Sequence, residues 1–171
     1  MQQFITLCYL AERAIRPCLV WDADLLLLRP RTMRRHGIAT LAISLEHHLP
    51  YFDVIQALLP ALALPAWSST VAHHMLMEPD LMREMLADVQ KGSPQTPWWE
   101  TILAKLDRRE VSCFAEYELY GQWIRDRHPD RIAFSPFREA SIPRRRFSPD
   151  LLDQLAASGE VDFLGLHWWI E

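Results

Sequence analysis

Apolar residues near the start of the chain fall at three- and four-residue spacing. Phe4, Leu7, Cys8, Ala11, Ala14 and Ile15 make one face of a helix over residues 3–15, and Pro17 ends it. Cys18-Leu19-Val20-Trp21 follows as a short apolar run, the pattern of a buried central strand over residues 18–22. It runs directly into Asp22-Ala23-Asp24 and a second apolar piece at 25–28, which a turn at Arg29-Pro30-Arg31 closes. Residues 38–45 read as another strand, ending in a polar–aromatic loop from Glu46 to Asp53. A short helix around 53–63 leads to Pro65, and residues 68–77 form a strand-like run carrying His73 and His74.

The second half alternates in the same way. Pro79 sits at a first helical position, and Leu81, Met82, Met85, Leu86 and Val89 form the stripe of a helix that Lys91-Gly92-Ser93-Pro94 stops. Thr96 reads as the cap of a helix with Pro97 in its first position and Trp98, Trp99, Ile102, Leu103 and Leu106 inside. Residues 114–127 form a third helix, 132–134 a short strand, and 138–146 a loop ending in Arg144-Arg145-Arg146. Ser148-Pro149 starts a last helix that stops at Ser158-Gly159; residues 161–167 close the fold as a strand, with Trp168 and Trp169 beyond it. No repeat and no linker interrupts this alternation, so the expectation is one α/β domain over residues 1–171.

Composition narrows the class. At 171 residues, 50% hydrophobic and 23% charged, the chain is long and apolar enough for one packed core. A net charge of −4 argues against a nucleic-acid binder. Sixteen of the eighteen basic residues are Arg, which leaves many planar forks for phosphate or carboxylate. Cys8, Cys18 and Cys113 are odd in number, form no CxxC pair and lie among apolar residues. They read as buried, reduced thiols of a cytoplasmic protein. No apolar run approaches the length of a membrane span, and no basic region followed by an apolar stretch opens the chain.

Chemistry gathers in a few places. A strand delivering Asp22 and Asp24 at its carboxyl end is a way for an α/β sheet to build a cation site, because hard cations prefer carboxylate oxygen. The same spacing also describes a solvated turn; what favours the cation is the apolar run on either side, which buries carboxylate that then needs compensation. His167 ends the last strand, and imidazole joins carboxylates readily on Mn²⁺ and similar ions. Of His73 and His74 only one can face a site, since a strand alternates sides. His47 and His48 make a further pair. Glu116 and Glu118, about 200° apart on a helix, cannot share a face, whereas Glu116, Tyr120 and Trp123 can. Glu116 also falls near a helix N-terminus, where a carboxylate is stabilised. An acid beside aromatic rings suits a sugar. Arg144–Arg146 is either a solvated run or a grip for diphosphate.

These residues occur in an order that resembles an uncharacterised bacterial glycosyltransferase-like family related to the GT-A nucleotide-diphospho-sugar transferases. The resemblance rests on Gln2-Gln3-Phe4, Val20-Trp21-Asp22-Ala23-Asp24, Arg29-Pro30, His73-His74-Met75 and the block Phe114-Ala115-Glu116-Tyr117-Glu118-Leu119-Tyr120-Gly121. It runs to about Phe137 and extends to His167. It implies a GT-A-like mixed sheet flanked by helices, lacking the N-terminal nucleotide-binding strands that usually precede the Asp-x-Asp strand. It further implies that Asp22, Asp24 and His167 hold Mn²⁺ or Mg²⁺, Asp24 most directly. Glu116 would be the catalytic carboxylate, and Trp21, His73, Glu118 and Tyr120 would bind substrate. The partners implied are a nucleotide-sugar donor and a glycan or small-molecule acceptor.

The expected function is therefore metal-dependent glycosyl transfer. A non-catalytic or truncated glycosyltransferase-like fragment, without donor binding of its own, is the alternative from a different class. A metal-dependent hydrolase built on the histidine pairs is a third.

Overall fold

Among the described residues three small sheets stand where the resemblance implies one mixed sheet. The computed structural model describes residues 2–45 and 47–167, so Glu46, Trp168 and Trp169 lie outside the described residues. Among those residues the chain is mixed α/β with six α-helices. In chain order the strands are β1 (Cys18–Trp21), β2 (Leu25–Leu27), β3 (Arg34–Arg35), β4 (Ile38–Ile43), β5 (His74–Met77), β6 (Ile132–Pro136), β7 (Glu139–Pro143) and β8 (Phe163–His167). The helices are α1 (Gln2–Glu12), α2 (Leu49–Leu58), α3 (Pro79–Gln90), α4 (Trp98–Leu103), α5 (Glu116–Arg127) and α6 (Pro149–Ser158).

The expected central strand, β1, belongs to a two-stranded antiparallel sheet with β5, and Trp21 lies opposite His74. It is half-buried, with Leu19 facing out, because no third strand covers its far edge. The second sheet has β8 in the middle, antiparallel to β2 and parallel to β7. The third has β4 between β3 and the parallel β6. Both outer neighbours of β8 bring acidic groups to its carboxyl end. Its pairing with β2 carries the Asp22–Asp24 turn to the carboxyl end of β8, and its pairing with β7 sets Pro143 beside His167.

Several boundaries differ from those the pattern predicts, each for a local reason. The α2 helix starts at Leu49 instead of near 53, since Pro50 fits in a first turn. Thr96 is not a cap: Pro97 occupies that position, and no side chain caps α4. The 138–146 segment contains β7 followed by a single 3₁₀ turn of three arginines. An edge strand tolerates the closing Pro143 because its donor side needs no partner. The β3–β4 hairpin turns on His36 and Gly37, both at positive φ (51° and 84°), the conformation a two-residue hairpin requires. Residues 68–73 are not strand; their buried hydroxyls and amides bond instead to α5. Ser148 caps α6 by accepting from the Leu151 amide, and Gly159 ends it in the left-handed conformation, both as the sequence predicts.

The main core lies where α1, α2, α3 and α5 close over β4 and β5, with Met82, Met85, Leu119, Tyr120 and Trp123 fully buried. The α5 helix is buried on nearly all sides. Its closest approach is at Gly121, where a Cβ would stand 2.2 Å from Thr70 Oγ1. The three cysteines are free and half-buried, more open than their apolar surroundings suggest. No helix among the described residues is long and apolar enough to cross a membrane.

Gly121→Ala forces Thr70 and the loop behind it to move. We expect it to lower stability by about 1–3 kcal/mol, the usual cost of overpacking, read as a lower denaturant midpoint.

Candidate metal and carboxylate site

Trp21 fixes the turn that follows it. Its indole Nε1 donates to the Leu25 carbonyl at 2.8 Å, and the Leu25 amide donates to the Asp22 carbonyl at 3.1 Å, so the Asp-x-Asp turn is closed by its own backbone. The Asp22 amide donates to the His73 carbonyl at 2.8 Å, extending the β1–β5 ladder by one rung. Both carboxylate oxygens of Asp22 are engaged. Oδ2 lies 2.9 Å from His73 Nδ1, and Oδ1 accepts from the Tyr117 hydroxyl at 2.9 Å. Burial, followed by the charge of Asp22, pushes Tyr117 far above the usual phenol range, so its proton stays in place to donate.

Asp24 faces the other way. Its carbonyl accepts from the Leu166 amide at 2.8 Å, and its Oδ2 lies 3.5 Å from His167 Nδ1. On the opposite side of that ring, His167 Nε2 lies 3.5 Å from Glu139 Oε1. The His73 and His167 rings are 5.4 Å apart between centroids. His73, Glu139 and His167 each bring one ligand atom within 4.8 Å of the others. Glu139 reaches this point because Gly165 has no side chain: a Cβ there would lie 1.9 Å from Glu139 Oε1 and 2.6 Å from His167 Nε2. That Glu139 oxygen is buried and makes no hydrogen bond among the described residues. His73 itself sits at φ 56°, a conformation that costs a non-glycine residue energy and is often found at functional positions.

The structure thus brings Trp21, Asp22, Asp24, His73 and His167 together. His74, the other member of its pair, opens β5 and turns away, since His73 lies before the strand at positive φ. Its ring packs 4.5 Å from Phe163, and Nδ1 donates to the Ala72 carbonyl at 2.7 Å. Burial holds its pKa below the ordinary histidine value, so it is neutral near pH 7. His47 and His48 are occupied elsewhere, His47 stacked on Phe52 and His48 bonded to the Ser112 carbonyl.

Glu116 begins α5, as expected, and is 3% exposed. Burial raises its pKa to about 7, and the nearby charge of Asp22 pushes the same way against hydrogen bonds from its own amide and the Thr6 hydroxyl. It is a carboxyl that both gives and takes a proton near neutrality, one residue from the tyrosine bonded to Asp22.

Glu118 and Tyr120 do not join this group. Glu118 is fully buried, and its oxygens accept from Ser69 Oγ, the Thr70 amide, Thr70 Oγ1 and Gln122 Nε2. Tyr120 is fully buried too, and its hydroxyl accepts from the Glu78 amide at 3.0 Å. Neither presents an open surface to a substrate. Trp123 likewise lies in the core, donating to Asp88 Oδ2, so the expected aromatic wall on this helix is internal. Glu118 instead shapes the loop that delivers His73. Glu139 and Tyr117 are the residues that sequence reasoning did not single out. Glu139 lies inside the 138–146 segment that reads as loop, and its signal is the short run Ala140-Ser141-Ile142 before Pro143.

Compared with known proteins, the chain matches no family model, no curated protein and no solved structure.

Glu116 gives a stability prediction with a definite sign. Its folded pKa of about 7 lies above the ordinary 4.5. The folded chain therefore holds a proton that the unfolded chain has released between those values, and stability falls as pH rises through that window. Glu116→Gln removes the penalty. We expect the variant to be more stable than wild type at pH 8, by up to about 3 kcal/mol from the size of the shift, and to lose that advantage at pH 4. Urea unfolding at the two pH values measures it.

Proposed function

We propose that this chain is a metal-dependent glycosyltransferase that moves a sugar from a nucleotide-diphosphate donor to a small-molecule or glycan acceptor. The observation that carries this reading is the meeting of the Asp22–Asp24 turn with His167 at the carboxyl end of β8, beside a buried carboxyl that titrates near neutrality. Of the two expected ions, carboxylate with imidazole suits Mn²⁺ better than Mg²⁺, which prefers oxygen ligands alone. Such a cation supplies Lewis-acid neutralisation of charge on the departing diphosphate.

The other parts of the reading belong to this chain's own residues. Glu116 takes the proton of the acceptor hydroxyl, a role suited to a group whose pKa matches the working pH. The half-buried Trp21 offers a ring next to the turn, where a sugar face can stack. Arg144–Arg146 begins one residue past Pro143, which pairs with His167, so the basic turn follows directly from the same sheet end. Guanidinium forks at that end favour a diphosphate.

A metal-dependent hydrolase is the second reading, favoured by His73 lying inside the cluster. Product analysis with and without acceptors separates transfer from hydrolysis.

With Mn²⁺ and a panel of nucleotide-diphosphate sugars, we expect wild type to release nucleotide diphosphate and Asp24→Ala to do so at least about a hundredfold more slowly. Below about pH 7 the wild-type rate should fall with the protonation of Glu116, approaching tenfold per pH unit, and Glu116→Gln should abolish that dependence. Equal release by wild type and Asp24→Ala would remove the Asp-x-Asp turn from the reaction, and no release by wild type would leave the non-catalytic alternative.

A further inference from the structure

Each acid of the Asp-x-Asp turn faces the Nδ1 of a different histidine. Asp22 Oδ2 lies 2.9 Å from His73 Nδ1, and Asp24 Oδ2 lies 3.5 Å from His167 Nδ1. A histidine that ligates a metal characteristically presents its other ring nitrogen to a carboxylate, which fixes the tautomer and aims the ligating nitrogen. His73 meets that condition with a hydrogen bond, and Asp24 faces the corresponding nitrogen of His167 at ion-pair distance. The Nε2 of His167 points at Glu139 Oε1, at 3.5 Å. That separation is long for a hydrogen bond. It suits two ligands of one ion, since groups about 2.1 Å from a common centre stand about 3 to 3.5 Å from each other. The buried Glu139 oxygen accepts no hydrogen bond among the described residues. Such an acceptor is costly unless something compensates it.

We propose that His73 Nε2, His167 Nε2 and the Glu139 carboxylate are the protein ligands of a divalent transition ion, and that Asp22 and Asp24 are positioning residues that orient the two imidazoles. Two imidazoles and one carboxylate favour a borderline ion such as Mn²⁺, Fe²⁺, Co²⁺ or Zn²⁺ over Mg²⁺, which keeps to oxygen ligands and water. Three protein ligands leave coordination positions for substrate oxygen. Gly165 is the cradle of this site, because any side chain there would occupy the place of the Glu139 oxygen and meet His167 Nε2. Tyr117 completes the support by holding Asp22 from the other side.

This inference sharpens the divalent-cation part of the glycosyl-transfer reading and rests on that part alone. Its test therefore uses the metal with no sugar donor. The 171-residue chain, stripped with a chelator, is titrated with Co²⁺, and the visible d–d absorption of the bound ion is followed. We expect a single ion per chain that a hundredfold excess of Mg²⁺ does not displace. Glu139→Gln and His73→Asn should each weaken binding by more than a hundredfold. Asn is chosen at position 73 because it tolerates positive φ. Asp22→Asn and Asp24→Asn should bind about 10- to 100-fold more weakly than wild type and still bind, as expected for groups that act through a ligand. Circular dichroism checks that each variant is folded, and the Co²⁺–Mg²⁺ competition needs no variant at all. Displacement by equimolar Mg²⁺ would overturn the proposal. So would loss of binding in Asp24→Asn with wild-type affinity in Glu139→Gln, or no Co²⁺ binding by folded wild type. Metal binding in this pattern without donor turnover would retire the sugar-transfer reading and leave the metal site standing.

Discussion

The carboxylate of Asp22 is the point on which the rest of the site depends. It receives the Tyr117 hydroxyl from the start of α5 and faces the His73 ring from the loop before β5, while its own amide bonds the His73 carbonyl. Three stretches with little else in common at that point are thereby locked in register. Without this carboxylate a buried phenol would lack an acceptor, and His73 would hold a left-handed backbone with less to compensate it. An unsatisfied buried polar group costs about 1–3 kcal/mol, so the three stretches stand or fall together.

A second acid does similar work at greater depth. Glu118 gathers donors from Ser69, Thr70 and Gln122, and so ties the irregular 68–73 loop to α5. Further away, Asp162 binds Arg138 through two hydrogen bonds and Arg31 through one. Burial alone would raise that carboxyl, but the guanidinium hydrogen bonds and charges outweigh it and hold its pKa below the usual range. The fold thus keeps several acids out of water. Those with full complements of donors stabilise particular loops. Glu116, which burial pushes up to about 7, is held at a cost.

How much of this was legible in the sequence follows from the range of each interaction. The helix stripes, the Ser148 cap, the Gly159 stop and the Asp-x-Asp turn after a strand are local patterns, and they stand where the residues placed them. The helix N-terminus at Glu116 was legible for the same reason. The division into three sheets was not, because strand pairing is decided between residues far apart in the chain. Nor was the identity of Glu139 as a neighbour of His167, which exists only because a short edge strand pairs in parallel beside β8. The substrate roles of Glu118 and Tyr120 rested on the resemblance of the block that carries them. Their burial depends on what covers α5, and residues 68–73 do not announce that covering in their own sequence.

The spacing of the cluster along the chain has a consequence for how it comes into being. Asp22 and His73 are 51 positions apart, and Asp22 and Tyr117 are 95 apart. Asp24 meets Leu166 and His167 only once the last strand has paired. Contacts of such separation must overcome the entropy of closing long loops before they return any stabilisation, so they form late in folding. Asp22 and Asp24 share one turn, but His73, Glu139 and His167 come from three separate stretches, so that trio does not exist on a partly folded chain. The cluster therefore reports that the whole chain is assembled. An ion bound as proposed would find scattered side chains during folding and would meet all three donors only after β8 has docked.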